Sequence, residues 1–137
     1  MQTLIAESRD TVRQLIERAI NQNELSAVDE LVHPGYRYRT PTETLDGPEQ
    51  LKALFASYRK AFHDLEVVID QQFADDEQVC TRLTLRGTHL GLFQGTLATG
   101  RRMQVQGVVI SRVAEGRIVE EWELIDGLAV VDQLGLT

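Results

Sequence analysis

The residues best suited to acid–base chemistry lie in a strand-like segment near the end of the chain, residues 118–126. Alternate residues of a β-strand share a face, so Trp122, Leu124 and Asp126 are expected on one side. Trp122 and Leu124 are large and apolar, which predicts that this side points inward. An aspartate beside apolar walls loses hydration, and its pKa rises from about 3.9 toward that of a general base. Asp126 is therefore a candidate base, although an aspartate before a turn or helix is more often a cap.

His89 is the second candidate for proton transfer. Extending the alternation of Leu83 and Leu85 places His89 on the same face, where it could donate a hydrogen bond to a substrate oxygen or exchange a proton. A histidine satisfied by backbone groups fits the pattern equally well. The three histidines show no metal-ligand spacing, and the single cysteine, Cys80, excludes an internal disulfide and a Cys-based zinc site. The sequence thus predicts neither a metal nor a cofactor.

Large aromatic and apolar residues are the candidates for contacts with a substrate. Tyr36 and Tyr38 follow a short predicted helix and could overhang the mouth of a pocket. An aromatic stripe at helical spacing over residues 51–62 is more typical of a core, yet two of its members could also form a pocket wall. The candidate substrate-binding residues are Trp122, Tyr36, Leu124, Phe55 and Tyr58.

The elements that must position these residues divide the chain into a helical first half and a strand-rich second half, which is typical of an α+β fold. Apolar periodicity predicts three N-terminal helices, over residues 3–22, 24–32 and about 48–62. Asp46 and Glu49 are expected to form a capping box for the third helix. Alternation predicts strands over residues 36–39, 65–70, 79–86, 103–113 and 118–126. The expected result is a curved, mostly antiparallel sheet wrapped around the helices, a cone with one open end that could hold a small molecule.

The strand over residues 103–113 is apolar on both faces. Val105 and Val109 lie on one face, and Val108 and Ile110 on the other. A strand with two apolar faces needs a cover on each side, and a subunit contact could provide one of them. This pattern favours a homodimer.

Length and composition limit the classes of protein to which this chain can belong. The 137 residues fit one domain, residues 1–137, and the 21 acidic and 14 basic residues give a net charge of −7. An acidic chain is a poor partner for nucleic acid or for an anionic membrane surface. One cysteine and the absence of a long apolar run or a signal-like N-terminus predict a cytoplasmic location.

Several segments resemble a known family. Residues 87–95 read GTHLGLFQG and are followed by ATGR at 98–101. The chain ends with GRIVEEW at 116–122, then Asp126, then DQLG at 132–135. Over nearly its whole length the chain resembles the SnoaL-like polyketide cyclases of the NTF2-like superfamily.

The resemblance implies a cone-shaped α+β fold, commonly dimeric through the outer face of the sheet. It implies closure of a polyketide ring by intramolecular aldol condensation without metal or organic cofactor, with the acid–base aspartate at Asp126. The family pattern also carries a histidine on the strand before the last hairpin. Residues 105–113 contain none, so His89 is the candidate to fill that role from the neighbouring strand.

Three functions remain open at this point. The first is a cofactor-free cyclase or isomerase acting on a largely apolar carbonyl compound, with Asp126 as base. The second is a hydroxylase-like or hydrolytic relative, which would need a second carboxylate near Asp126, with Glu120 as the candidate. The third is a non-catalytic binding or dimerisation module, favoured if Asp126 is exposed or paired with Arg86 or Arg101.

Overall fold

The computed structural model describes residues 2–136, so the first and last residues of the predicted domain lie outside the described part. Within it the chain forms four α-helices and six β-strands. The helices are α1 (Gln2–Gln14), α2 (Ser26–Leu31), α3 (Gly47–Ala61) and α4 (Gly127–Leu134), and α1 continues directly as a π-helical segment, Leu15–Asn21. The strands are β1 (Val32–Arg39), β2 (Thr44–Asp46), β3 (Glu66–Ala74), β4 (Gln78–Thr88), β5 (Arg102–Ala114) and β6 (Arg117–Ile125).

The six strands form one sheet in the order β2-β1-β6-β5-β4-β3. Every neighbouring pair is antiparallel except β1 and β6, which run parallel. The register shifts in β1 between Val32 and Arg37, in β3 between Ile69 and Gln71, and at the β5–β6 turn. Irregularities of this kind bend strands, and the resulting curvature leaves room for a core and a cavity. The predicted α+β cone, with a mostly antiparallel sheet around the helices, is confirmed.

The main core lies between the helices and the inner face of the sheet. Val12 and Leu15 of the first helical segment join Leu83, Val109 and Ile118 of three central strands in one buried cluster. The helix contributes because its apolar residues recur every three to four positions, and the strands contribute because every second residue faces inward. Most of the strand residues that reach the cavity therefore do so from the inner face.

Local structure departs from expectation around β1 and α3. The segment His33–Gly35 ends α2 as expected, yet it lies within β1, where the register is irregular. The short strand β2 was not predicted. The predicted capping box is wrong, because Asp46 makes no side-chain cap and its backbone N–H donates instead to Oε1 of Gln50 at 2.7 Å. The Asp46 carboxylate pairs with Arg37 on the neighbouring strand.

Candidate functional site

A largely apolar cavity of about 390 Å³ opens at one end of the sheet. Its walls come from the inner faces of β4, β5 and β6, from the end of β1 with the loop after it, from α3 and from α4. Apolar side chains, among them the buried Phe62, Met103 and Val105, form most of its surface. Polar groups are few, and the central ones are Tyr38, Tyr58 and Glu123. A cavity of this size and composition is suited to a small, mainly apolar organic molecule.

Two carboxylates line this cavity, Glu123 on β6 and the exposed Glu43 on the loop after β1, and Glu123 is the more buried of the two. It lies on the inner face of β6, and its Oε1 accepts a hydrogen bond from the Tyr38 hydroxyl at 2.6 Å. Burial raises the pKa of Glu123 to about 7, and the negative charges of Glu121 and Glu43 act in the same direction. The hydrogen bond from Tyr38 partly opposes this rise. A carboxyl group with a pKa near neutrality can both accept and return a proton, as a general acid–base residue must.

A second carboxylate, Glu121, lies deeper on the same face of β6 and is buried. The Tyr36 hydroxyl donates to its Oε1 at 2.8 Å, and the Ser111 hydroxyl donates to its Oε2 at 2.5 Å. Burial raises the pKa of Glu121, and the two hydrogen bonds oppose that effect. Two tyrosines of β1 therefore pair with two glutamates of β6, one pair inside the core and one at the cavity.

Behind Glu123 lies a smaller apolar hollow of about 50 Å³. It shares Tyr38, Tyr58 and Glu123 with the main cavity, and Glu121 and Phe55 are part of its lining. The outer carboxylate thus lies where the cavity and the hollow adjoin. Of the candidate substrate-contact residues, Tyr58 lines both spaces and Phe55 lines the hollow alone.

The predicted orientation of β6 is wrong. Trp122 is 42% exposed and Leu124 is 50% exposed, because this face of the strand is the outer face of the sheet. Leu124 still borders the cavity, but Trp122 does not line it. The inner face carries Glu121 and Glu123 instead. Large apolar residues were expected to be inside, whereas here tyrosine hydroxyls from the adjacent strand offset part of the cost of burying the carboxyls.

Asp126 lies outside the cavity as an exposed residue at the start of α4. Its Oδ1 accepts a hydrogen bond from the backbone N–H of Ala129 at 3.0 Å, which makes it the N-cap of the helix. The capping alternative is confirmed and the inward placement is wrong. Its neighbours Ile125 and Gly127 do border the cavity, so Asp126 lies beside the opening. Its catalytic role stays a prediction from the resemblance.

His89 is completely buried but does not line the cavity. The backbone N–H of Thr99 donates to its Nδ1 at 3.3 Å, so Nδ1 is the acceptor and the ring hydrogen is on Nε2. Nε2 has no hydrogen-bond partner among the described residues. The ring packs against Phe62 and Phe93, with centroid distances of 5.6 and 6.1 Å, and these two aromatic residues form part of the cavity wall. His89 therefore supports the wall from behind, and its catalytic role stays a prediction.

Tyr36 also differs from its predicted position. It was expected at the mouth of the pocket, but only 1% of it is exposed and its hydroxyl is bonded to Glu121. Tyr38, the next tyrosine on this face of β1, is the one that reaches the cavity. A pattern of Tyr-x-Tyr in one strand and Glu-x-Glu in another was the sequence signal for these pairs.

Groups of three or more His, Cys, Asp or Glu that could hold a metal ion are not found among residues 2–136. Over the same residues, no helix is both long and apolar enough to cross a membrane.

Comparison with known proteins shows the family to which the chain belongs. The family model described as SnoaL-like polyketide cyclase matches residues 10–134. The chain belongs to the SnoaL-like polyketide cyclase family. A curated relative, the aklanonic acid methyl ester cyclase DnrD of Streptomyces peucetius, is 30% identical over 132 residues, covering 92% of this chain and 89% of DnrD.

Solved structures agree with the SnoaL-like fold. IdmH from Streptomyces antibioticus is 29% identical with a TM-score of 0.82, and the match covers 93% of this chain and 97% of IdmH. A SnoaL-like protein from Jannaschia sp. CCS1 reaches a TM-score of 0.90 at 24% identity, covering 98% of this chain and 95% of the other. The second match shows the shared fold alone.

Proposed function

We propose that this SnoaL-like protein is a cofactor-independent cyclase that closes a ring in a polyketide-derived carbonyl compound by intramolecular aldol condensation. The observation that carries the proposal is the Glu123 carboxyl, which faces an apolar cavity with its pKa raised to about 7. The curated relatives act on aklanonic acid methyl ester, which makes an ester of this kind the first substrate to test.

The reaction needs one residue that both accepts and returns a proton. The Glu123 carboxylate removes a proton from a carbon flanked by two carbonyl groups, and the substrate becomes an enolate. The enolate carbon then bonds to a second carbonyl carbon of the same molecule. The new alkoxide takes the proton back from Glu123, so that no proton is gained or lost overall.

The surrounding residues fit supporting roles. Burial raises the pKa of Tyr38 and of Tyr58, so both hydroxyls stay protonated and can donate hydrogen bonds. Tyr38 orients Glu123, and Tyr58, which lines the same cavity, can stabilise the enolate oxygen. The apolar walls fold the substrate so that its reacting carbons meet.

The pH dependence of turnover tests this proposal. With aklanonic acid methyl ester as substrate, kcat/KM is expected to rise with pH and level off above an apparent pKa near 7. The reason is that only the deprotonated form of Glu123 accepts a proton. Substrate loss and product formation followed by chromatography give the rates. A profile that is flat between pH 5 and 9 would contradict Glu123 as the base.

A non-catalytic binding module is the second candidate, because the exposed position of Asp126 favours that alternative. It predicts that the protein binds the ester in its cavity without converting it. Binding measured by calorimetry, together with a complete absence of product, would favour this candidate over the cyclase. The Glu123 carboxyl in the cavity wall supplies a group that can accept a proton, which supports a catalytic function over binding alone.

We further propose that the protein is a homodimer joined through the outer face of its sheet. The paired strands place Phe73, Cys80, Ile110 and Trp122 in one row across β3, β4, β5 and β6. Phe73 is 61% exposed and Trp122 is 42% exposed. Rows of apolar side chains on one face are suited to a second copy of the same face, which buries both.

A cytoplasmic location stays a prediction.

Replacing Trp122 by lysine is expected to separate the subunits, because two charges would face an apolar surface. Light scattering after size exclusion should change from the mass of two 15.5 kDa chains to that of one. Leu97→Lys is the matched control, since Leu97 is 79% exposed but lies in the loop after β4. A wild-type protein that is already monomeric would refute the proposed interface.

A further inference from the structure

The inner glutamate, Glu121, has no role in the reaction proposed above, yet it is one of the few buried polar residues in the described part of the chain. It precedes Glu123 by two residues on β6, so both side chains lie on the same face of the strand. Glu121 also lines the hollow that adjoins the main cavity at Glu123. A negative charge on Glu121 therefore acts electrostatically on Glu123, the candidate base.

The hydrogen-bond donors around Glu121 indicate which protonation state of its carboxyl group the site favours. Tyr36 and Ser111 each donate a hydroxyl hydrogen to a different carboxyl oxygen, at 2.8 and 2.5 Å. Neither hydroxyl makes another side-chain hydrogen bond within the described residues. If Glu121 carried a proton, one hydroxyl would have to accept that proton, and its own hydrogen would be left buried without an acceptor. The two donors therefore favour the carboxylate form of Glu121, against the burial that raises its pKa.

Among the described residues, no cationic side chain forms an ion pair with this carboxylate. Over residues 2–136, none of the ion pairs involves Glu121 or Glu123. The other side chains of the hollow are apolar apart from tyrosines. The titratable groups that face the two glutamates from β1, α3 and the loop after β1 are Tyr36, Tyr38, Tyr58 and Glu43.

We propose that Glu121 is a positioning residue, a buried negative charge held by Tyr36 and Ser111 that tunes Glu123 for proton transfer. This inference rests on the proposed function, since it assigns the tuning of the same base. A like charge nearby disfavours ionisation of Glu123, so Glu123 holds its proton to higher pH and is a stronger base. The Tyr36–Glu121 pair thus affects proton transfer indirectly, through its effect on Glu123 of the Tyr38–Glu123 pair.

The test measures the titration of Glu123 directly, by carbon-13 NMR of the glutamate side-chain carboxyls. The resonance of Glu123 is identified as the one that disappears in Glu123→Gln. In Glu121→Gln the titration midpoint of Glu123 is expected to fall by about one pH unit, because the neighbouring negative charge is gone. Glu120→Gln is the matched control, since Glu120 lies on the outer face of the same strand beside Arg112, and it should leave the midpoint unchanged.

Two further variants keep the test decisive if Glu121→Gln does not fold. Ser111→Ala and Tyr36→Phe each remove one donor, so Glu121 protonates more readily and the Glu123 midpoint should again fall. An unchanged midpoint in every folded variant would overturn the inference.

The NMR titration needs no substrate, so its outcome is independent of the proposed cyclase activity. A midpoint that shifts in Glu121→Gln while the pH profile of turnover does not would uphold the coupling and refute Glu123 as the base. If Glu123 is the base, the pH profile should shift together with the midpoint.

Discussion

Glu123→Gln is expected to lower kcat/KM for the cyclisation of aklanonic acid methyl ester by about a thousandfold, the usual loss when a general base is removed. Glutamine has nearly the same shape, and its carbonyl oxygen can still accept the hydrogen bond from Tyr38. It cannot accept a proton from the substrate. The protein should keep its fold and bind the ester, which circular dichroism and calorimetry would check.

Asp126→Asn is the matched variant for this experiment. Asparagine is as good an N-cap as aspartate, so α4 should remain intact. Because the Asp126 side chain is exposed and hydrogen-bonded to Ala129, turnover is expected to stay within a few-fold of wild type. The opposite pattern, with Asp126→Asn inactive and Glu123→Gln active, would assign the base to Asp126 as the resemblance implies.

Gly91→Ala is expected to give the largest loss of stability of any glycine-to-alanine substitution in the protein. A Cβ at this position would lie 2.1 Å from the backbone oxygen of Lys60, a contact that cannot be relieved by rotating a side chain. The N–H groups of Leu90 and Gly91 both donate to the Ala61 carbonyl, which ties the loop to the end of α3. Forcing these segments apart should lower the free energy of unfolding by about 2–4 kcal/mol.

Urea denaturation of Gly91→Ala measures this loss. Gly127→Ala is the control, because no atom lies within 4 Å of its added Cβ and its backbone is not left-handed. It should change the free energy of unfolding by less than about 0.5 kcal/mol. If Gly91→Ala proved as stable as Gly127→Ala, the close approach of the loop to α3 would be wrong.

Local patterns were sufficient for most of the secondary structure. Val12 and Leu15 recur at helical spacing, and both are buried in the core. The alternation of Val105 and Val109 with Val108 and Ile110 correctly predicted β5 and an apolar outer face. These predictions succeed because side-chain direction depends only on the local backbone geometry of a helix or strand.

The pairing of β1 with β6 could not be predicted in the same way. Each tyrosine and its glutamate are 85 residues apart along the chain, and only the parallel pairing of the two strands lets the Tyr38 hydroxyl reach Glu123 and the Tyr36 hydroxyl reach Glu121. Without those hydroxyls, a strand burying two carboxyls looks less favourable than one burying Trp122 and Leu124. For this reason the sequence pattern predicts the wrong inner face of β6, and with it an inward position for Asp126.

By itself the sequence determined the α+β class, the order of most helices and strands, and the sets of residues that share each face of β6. Which of those faces turned inward was decided only by tertiary structure. The physical reason is that alternation along a strand is a local property, whereas the energy of burying a carboxyl depends on donors that a distant strand supplies. Glu123 is the candidate base because it lines the cavity, and the Tyr38 hydroxyl offsets part of the cost of burying it there.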